Sequence, residues 1–297
     1  MSNHSKTIVR PRLACEITAQ RVVAARTSDR ADVVEAYSVR TLPLGSVNPS
    51  LTAANLAEVG AVRQAISDVL AAVGGRSRDL TVVLPDSSVR VALLDFDSLP
   101  PRKLEADAVV RFRLKKSLPF DVERAALSYD AQPGNGRVRV IAAVALTNVI
   151  EEYETLFRDA GYVPGVLVPS TLAALGPVDG SQPTLVIKVD GSTTSVAILD
   201  HHELLLFRTI DSGQQAEPSA VQLAEDVYPS IVFFQDTYGA RINQVLVAGV
   251  GARELAQVLE PTGGRVRELV SDAYLSDAAR GSTPTALLAG VVGALLD

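Results

Sequence analysis

The sequence has very few residues of the types that build covalent or metal-based sites. It contains one cysteine, Cys15, and no tryptophan among its 297 residues. A single cysteine excludes an internal disulfide, which fits a protein of a reducing compartment. The three histidines are His4, His201 and His202. They give no Cys/His pattern with zinc spacing and no basis for a Ser-His-Asp triad.

Strong net charge and long apolar runs are also missing. The formal net charge is −6 and the pI is about 5.2, which argues against nucleic acid as a main partner. The most apolar stretch, residues 285–296, is far shorter than the roughly 20 residues that span a bilayer. The first twelve residues are polar and do not form a signal peptide. We therefore expect a soluble cytoplasmic protein that reaches a membrane through partners.

Two parts of the chain share one order of predicted elements: three short strands, a helix and another strand. Apolar runs and helical spacing give this order in both parts. The first strands begin near Leu13 and Leu185, an offset of 172 residues. The predicted elements lie at 13–19, 21–27, 33–40, 55–73 and 80–84 in the first part, and at 184–190, 195–199, 203–209, 219–234 and 244–248 in the second.

Different material separates the two parts. After Pro100 and Pro101, the spacing predicts a helix, two strands, a second helix and a strand, which together form a compact α+β unit. The expected domains are a first lobe at 8–100, an insert at 101–165 and a second lobe at 181–282. Residues 166–180 and a terminal helix at 283–297 would complete the first lobe.

One turn in the second part has the composition of a phosphate-binding loop. It separates two apolar strands and consists of Asp190, Gly191, Ser192, Thr193 and Thr194. Its N–H groups and hydroxyls can face a phosphate, and its carboxylate can hold a metal. The alternative is an ordinary hairpin, because Gly, Ser and Asp favour turns for local reasons.

Four short segments have a distinctive order and spacing: LPDSSV at 84–89, LPFDVE at 118–123, LSYD at 127–130 and AGY at 160–162. Together they resemble the PilM family of type IV pilus assembly proteins. This family belongs to the actin-like ATPase superfamily and is related to FtsA and to the cytoplasmic part of the type II secretion protein GspL. The resemblance implies an α/β, actin-like (RNase H-like), two-lobed fold with a duplicated β-meander and an inserted SHS2-like α+β subdomain.

The resemblance also implies a site for ATP and Mg²⁺ between the lobes. Asp190 would face the metal through water, and residues 191–194 would face the phosphates. The adenosine-binding turn of the family is matched by Gly249, Gly251 and Ala252. A simple strand-to-helix turn explains those three residues equally well.

The first phosphate turn departs from the family pattern. Glu16 stands where the family has aspartate, and Thr18 stands where it has glycine. Val23 occupies the place of a common lysine. The longer acid moves a metal ligand by about one C–C bond length, and the β-branched Thr18 restricts the turn. These changes favour nucleotide binding that is weak or absent.

The basic run of Arg111, Arg113, Lys115 and Lys116 is the sharpest charge feature. It predicts a docking surface for an acidic partner or the membrane surface, and a solvated helix face is the alternative. The resemblance adds a specific partner, the cytoplasmic N-terminal tail of a PilN-like inner-membrane protein, bound as an extended peptide. Other components of a pilus or secretion machine are implied as further partners.

Three functions follow from these observations. We favour an adaptor of a type IV pilus or type II secretion machine, without efficient catalysis. An active ATPase or kinase that uses Asp190 and the turn at 191–194 is the alternative. An FtsA-like filament former comes last, because no basic, apolar tail follows the terminal helix.

Overall fold

The computed structural model describes residues 10–296 except positions 29, 31, 135, 214–218, 250–251, 260–264 and 282. The strands are β1 (Leu13–Ile17), β2 (Arg21–Thr27), β3 (Val34–Thr41), β4 (Asp79–Leu84), β5 (Arg90–Phe96), β6 (Ala125–Gly134), β7 (Arg137–Leu146), β8 (Val163–Pro169), β9 (Thr184–Asp190), β10 (Thr193–Asp200), β11 (Glu203–Asp211), β12 (Gln244–Gly249) and β13 (Arg265–Glu268). The helices are α1 (Val59–Val73), α2 (Lys103–Leu114), α3 (Thr147–Asp159), α4 (Ser170–Ala174), α5 (Ala220–Tyr238), α6 (Ala252–Leu259) and α7 (Ala289–Leu295).

Two five-stranded sheets repeat the same topology. Their strand orders are β3-β2-β1-β4-β8 and β11-β10-β9-β12-β13. In each sheet the first three strands along the chain form an antiparallel meander, and the two remaining strands add in parallel. The repeated element order expected from the sequence is therefore present as two related lobes.

The sheet pairing places the insert at different limits from those expected. Its sheet has the order β5-β7-β6, so β5 belongs to it although β5 precedes residue 101. At the other end, β8 pairs with β4 in the first lobe. Helix α3 also joins that lobe, because Tyr153, Leu156 and Phe157 are buried in one cluster with α1. Backbone pairing and core packing thus move both limits of the insert toward the N-terminus.

The helices begin and end for identifiable reasons. The amphipathic face of α1 buries Val62, Ile66 and Val69, yet the helix begins at Val59 and not at 55. The side-chain amide of Asn55 instead donates to the carbonyl oxygens of Ser50 and Ala53. These hydrogen bonds fix the loop that precedes the helix. Helix α5 continues through Pro229 as one element, although proline lacks the backbone N–H that a helix interior uses.

Helices α4 and α7 pack where the two lobes meet. One apolar cluster contains Val23 of the first sheet, Ala197 of the second, Ala173 of α4 and Val291 of α7. The contact between the helices is close, since a Cβ on Gly293 would overlap the Ala173 carbonyl oxygen. Across the described ranges, none of the helices combines the length and the apolar character needed to cross a membrane.

Candidate site between the two lobes

The first turns of the two lobes have matching hairpin registers. Thr18 donates its backbone N–H to the Arg21 carbonyl at 2.9 Å, and Asp190 pairs with Thr193. Thr18 and Asp190 therefore hold equivalent places in the two turns. By the same register, Lys188 is the counterpart of Glu16, 172 residues earlier.

These two counterparts form a buried ion pair. The Lys188 ammonium lies 3.1 Å from Glu16 Oε1, and the side chains are 5% and 2% exposed. The Ser170 hydroxyl donates to the same Glu16 oxygen. Helix α7 lies against this carboxylate, because a Cβ on Gly290 would be 2.6 Å from both of its oxygens. The pair thus connects β1, β9, α4 and α7.

The charge on Lys188 is stabilised by several acids. Burial lowers the pKa of its ammonium, but the carboxylates of Glu16, Asp190 and Asp86 outweigh burial and raise the pKa above its ordinary value. Lys188 is therefore charged at neutral pH. Its ammonium interacts with carboxylates of the protein itself.

A second ion pair joins the two turns. Arg21 Nη2 lies 3.0 Å from Asp190 Oδ1, and the side chains are 10% and 15% exposed. The Thr18 hydroxyl accepts from the backbone N–H groups of Gln20 and Arg21, which holds the first turn. Burial raises the pKa of the Asp190 carboxyl, while Lys188 and Arg21 oppose that rise. Asp190, the residue predicted to face a metal through water, accepts here from an arginine of the opposite lobe.

Hydroxyl and carboxylate contacts complete this connection. Ser87 and Thr193 bring their hydroxyl oxygens to 2.7 Å from each other across the lobes. Asp86 accepts from the Thr171 backbone N–H at 2.9 Å and from its hydroxyl at 2.5 Å. The Glu16–Lys188, Arg21–Asp190 and Ser87–Thr193 contacts therefore connect the two lobes at three points.

The space left between the turns is small and acidic. The cavity has a volume of about 60 Å³, and three aspartates, Asp86, Asp190 and Asp211, line it. That volume corresponds to about two water molecules. In the described part of the chain, His, Cys, Asp and Glu side chains form no group of three or more suited to a metal ion. In this arrangement Lys188 and Arg21 are paired with carboxylates of the protein itself.

The remaining residues of the predicted nucleotide site contact other parts of the protein. Ser192 accepts at its carbonyl from the Ser212 N–H, and Thr194 is buried in β10.

Gly249 has a φ of +88°, and a Cβ there would overlap the Val189 carbonyl oxygen. Close packing of β12 on β9 therefore explains this glycine. Gly251 lies outside the described residues, and Ala252 begins α6. Gly191 takes the left-handed φ of +61° beside the Gln20 amide.

The predicted basic docking surface divides into two parts. Arg111 is turned inward and donates to the carbonyls of Val122 and Ala125, at 2.7 and 3.2 Å. Arg113, Lys115 and Lys116 are exposed. Only the latter three remain candidates for docking.

A larger cleft opens beside the small cavity. It has a volume of about 430 Å³, and Pro49, Asp86, Ser87 and Asp211 line both spaces. Its walls come from both lobes and from the insert. They include Leu51, Val89, Arg90, Val91, Pro119, Phe207 and Arg208.

The paired turns between two related sheets define the class: the chain has the actin-like ATPase fold, as the resemblance predicted. A chain of the PilM–PilN type IV pilus biogenesis complex is similar with a TM-score of 0.79 and 21% identity, over 96% of this chain and 98% of that one. The PilM likeness that the sequence motifs indicated is thus confirmed at the level of fold.

Two more distant structures share the fold. The cytoplasmic domain of EpsL, an inner-membrane component of the type II secretion system of Vibrio cholerae, gives a TM-score of 0.56 and 12% identity over 95% of this chain and 94% of that one. A protein of unknown function with an actin-like ATPase fold from Bacteroides thetaiotaomicron gives a TM-score of 0.52 and 8% identity over 86% of this chain and 88% of that one. Neither the protein-family models nor the curated proteins include a match to this chain.

Proposed function

We propose that this protein is a cytoplasmic, PilM-like adaptor of a type IV pilus or type II secretion machine. It would bind the N-terminal tail of a PilN-like inner-membrane protein and connect it to other assembly components. The likeness over nearly the full length to a chain of the PilM–PilN complex supports this proposal. The observation that carries it is the buried Glu16–Lys188 pair, because it joins β1 and β9 of the two lobes through the protein's own charges.

The closed cleft supports a scaffold function over an ATPase function. Here Lys188 and Arg21 already neutralise Glu16 and Asp190. The lobes would therefore keep their relative position without nucleotide, and nucleotide binding would be weak or lost.

We place the tail in the larger cleft. Its volume of about 430 Å³ lies within the range of ligand sites, roughly 300–1,000 Å³. Val89, Val91 and Phe207 offer apolar contacts to side chains of an extended peptide. Arg90 and Arg208 are exposed at the cleft and suit an acidic residue of the tail.

Calorimetric titration with a synthetic tail peptide of the partner encoded beside this gene tests the assignment. The variant Arg90→Glu/Arg208→Glu should weaken binding at least tenfold, because two attractive charges become repulsive. Arg76→Glu is the matched control, since Arg76 is exposed in the loop after α1 and does not line the cleft. Wild-type protein that ignores the peptide would refute the adaptor. Equal loss in the control would refute the location.

A further inference from the structure

Helix α2 of the insert is apolar on two opposite faces. Its inner face buries Ala106, Val110 and Leu114 against the insert sheet. On its outer face Leu104 is 83% exposed and Phe112 is 75% exposed. These two residues and the exposed Ala108 between them follow the i, i+4, i+8 spacing that places side chains on one line. One apolar face is enough to attach a helix to its sheet, so the outer line is available for another contact.

The charges around this outer line are mainly positive. Arg113, Lys115 and Lys116 are exposed near Phe112, at the C-terminal end of the line. At the other end, the acid Glu105 is paired with Arg102 at 3.2 Å. The whole chain has a net charge of −6, so this face differs in sign from the protein as a whole.

A second helix supplies an internal comparison. Helix α5 also exposes large apolar side chains, including Tyr228 at 60% and Val221 at 59%. Its charged residues are all acidic: Glu225, Asp226 and Asp236. The two helices thus present similar apolar groups, with mainly basic charges beside the α2 groups and only acidic charges on α5.

We propose that the outer face of α2 docks on the surface of an anionic lipid bilayer. Leu104 and Phe112 lie about 12 Å apart along the helix and would enter the boundary between headgroups and acyl chains. Arg113, Lys115 and Lys116 would meet the lipid phosphates. Each such cation raises affinity for an anionic surface about fivefold. Two large side chains on one convex line are a small share of the roughly 800 Å² per partner that a stable protein interface needs. A lipid surface requires no such matched partner.

This contact is separate from the tail-binding cleft and requires no peptide. Alone, one short helix face would hold the protein weakly and reversibly. Combined with a tail bound from the same membrane, the second contact becomes intramolecular and strengthens attachment. The inference therefore adds a lipid-dependent step to recruitment and does not depend on the identity of the tail partner.

Flotation of the peptide-free protein with vesicles tests the proposal. The vesicles are pure phosphatidylcholine, or an equal mixture of phosphatidylcholine and phosphatidylglycerol. We expect at least tenfold stronger binding to the anionic vesicles. Raising the salt from 0.1 to 1 M should abolish this preference, because the Debye length falls from about 10 to about 3 Å.

Matched variants distinguish binding through this face from nonspecific adsorption to vesicles. Lys115→Glu/Lys116→Glu and Phe112→Ser should each reduce binding to anionic vesicles at least tenfold, with unchanged thermal unfolding. Tyr228→Ser on acidic α5 should bind as the wild type does. The proposal is overturned if wild-type protein does not float with anionic vesicles, if it binds both vesicles equally, or if the α2 variants match the wild type. Equal loss in Tyr228→Ser also overturns it.

Discussion

Replacing Lys188 should destabilise the protein strongly, because it leaves a carboxylate buried without its cation. In Lys188→Met, Glu16 keeps the Ser170 hydroxyl but loses the ammonium at 3.1 Å. Removal of one partner from a buried pair typically costs about 3–5 kcal/mol. We expect that loss in the free energy of unfolding, measured by urea denaturation with linear extrapolation.

Substitution of the other partner, Glu16, should lower the free energy of unfolding by less. In Glu16→Gln, the carboxylates of Asp190 and Asp86 still stabilise the Lys188 charge, as their effect on its pKa indicates. We expect a loss of about 1–3 kcal/mol, the usual cost of an imperfectly satisfied buried group. The two single variants are therefore predicted to differ, with the lysine change more severe.

The double variant Glu16→Gln/Lys188→Met measures the coupling. It removes both charges and should recover at least about 2 kcal/mol relative to Lys188→Met. Arg158→Met is the control, since the Arg158–Glu154 pair is largely exposed and should contribute less than about 1 kcal/mol. The reasoning fails if Lys188→Met lies within about 1 kcal/mol of wild type, or if the double variant shows no recovery.

Three further predictions concern close packing and burial. Gly293→Ala should destabilise by roughly 1–3 kcal/mol in urea, because the new Cβ would overlap the Ala173 carbonyl oxygen. Gly60→Ala meets nothing within 4 Å in α1 and should stabilise by about 0.5–1 kcal/mol, so a loss there would contradict the packing account. Cys15 should react with thiol reagents only on unfolding, since burial, and then the Glu16 charge, raises its thiol pKa. Rapid labelling of the native protein at pH 8 would contradict this.

The repeated meander could be predicted because its strands are apolar and closely spaced. In β1 all five residues are buried, and in β9 only the last residue is partly exposed. Such strands form continuous apolar runs bounded by turn residues. The first residue of α1 could not be predicted from the apolar spacing. Asn55 was read as the first helical residue, but its side chain bonds to loop carbonyls instead.

The limits of the insert depended on pairing between distant strands. No element was predicted at residues 90–96, and only the pairing of β5 with β7, from Arg90↔Val144 to Phe96↔Val138, assigns this segment to the insert. The pattern of α3 predicts a helix but does not tell which sheet it covers. Contacts between distant parts of the chain determine whether β5 and α3 belong to the insert or to the first lobe. The local spacing of apolar residues carries no information about such contacts.

Part of the geometry between the lobes could be predicted, whereas a nucleotide-binding role for these residues stays a prediction. The turns at Glu16–Thr18 and Asp190 were identified, and they do face each other across the lobes. Lys188 was missed, because a lysine within an apolar strand gave no local signal. The 172-residue offset would have found it, since it places Lys188 opposite Glu16. The pairing of Arg21 with Asp190 required the arrangement of the lobes.

The central claim is that this protein binds a membrane partner's tail without help from nucleotide. The direct test is calorimetric titration of the tail peptide into the protein, first alone and then with 1 mM Mg-ATP. We predict the same dissociation constant in both titrations, and no measurable heat from Mg-ATP alone, which corresponds to a Kd weaker than about 1 mM. Tight Mg-ATP binding that changes the peptide affinity, together with ATP turnover lost in Asp190→Ala, would contradict the account.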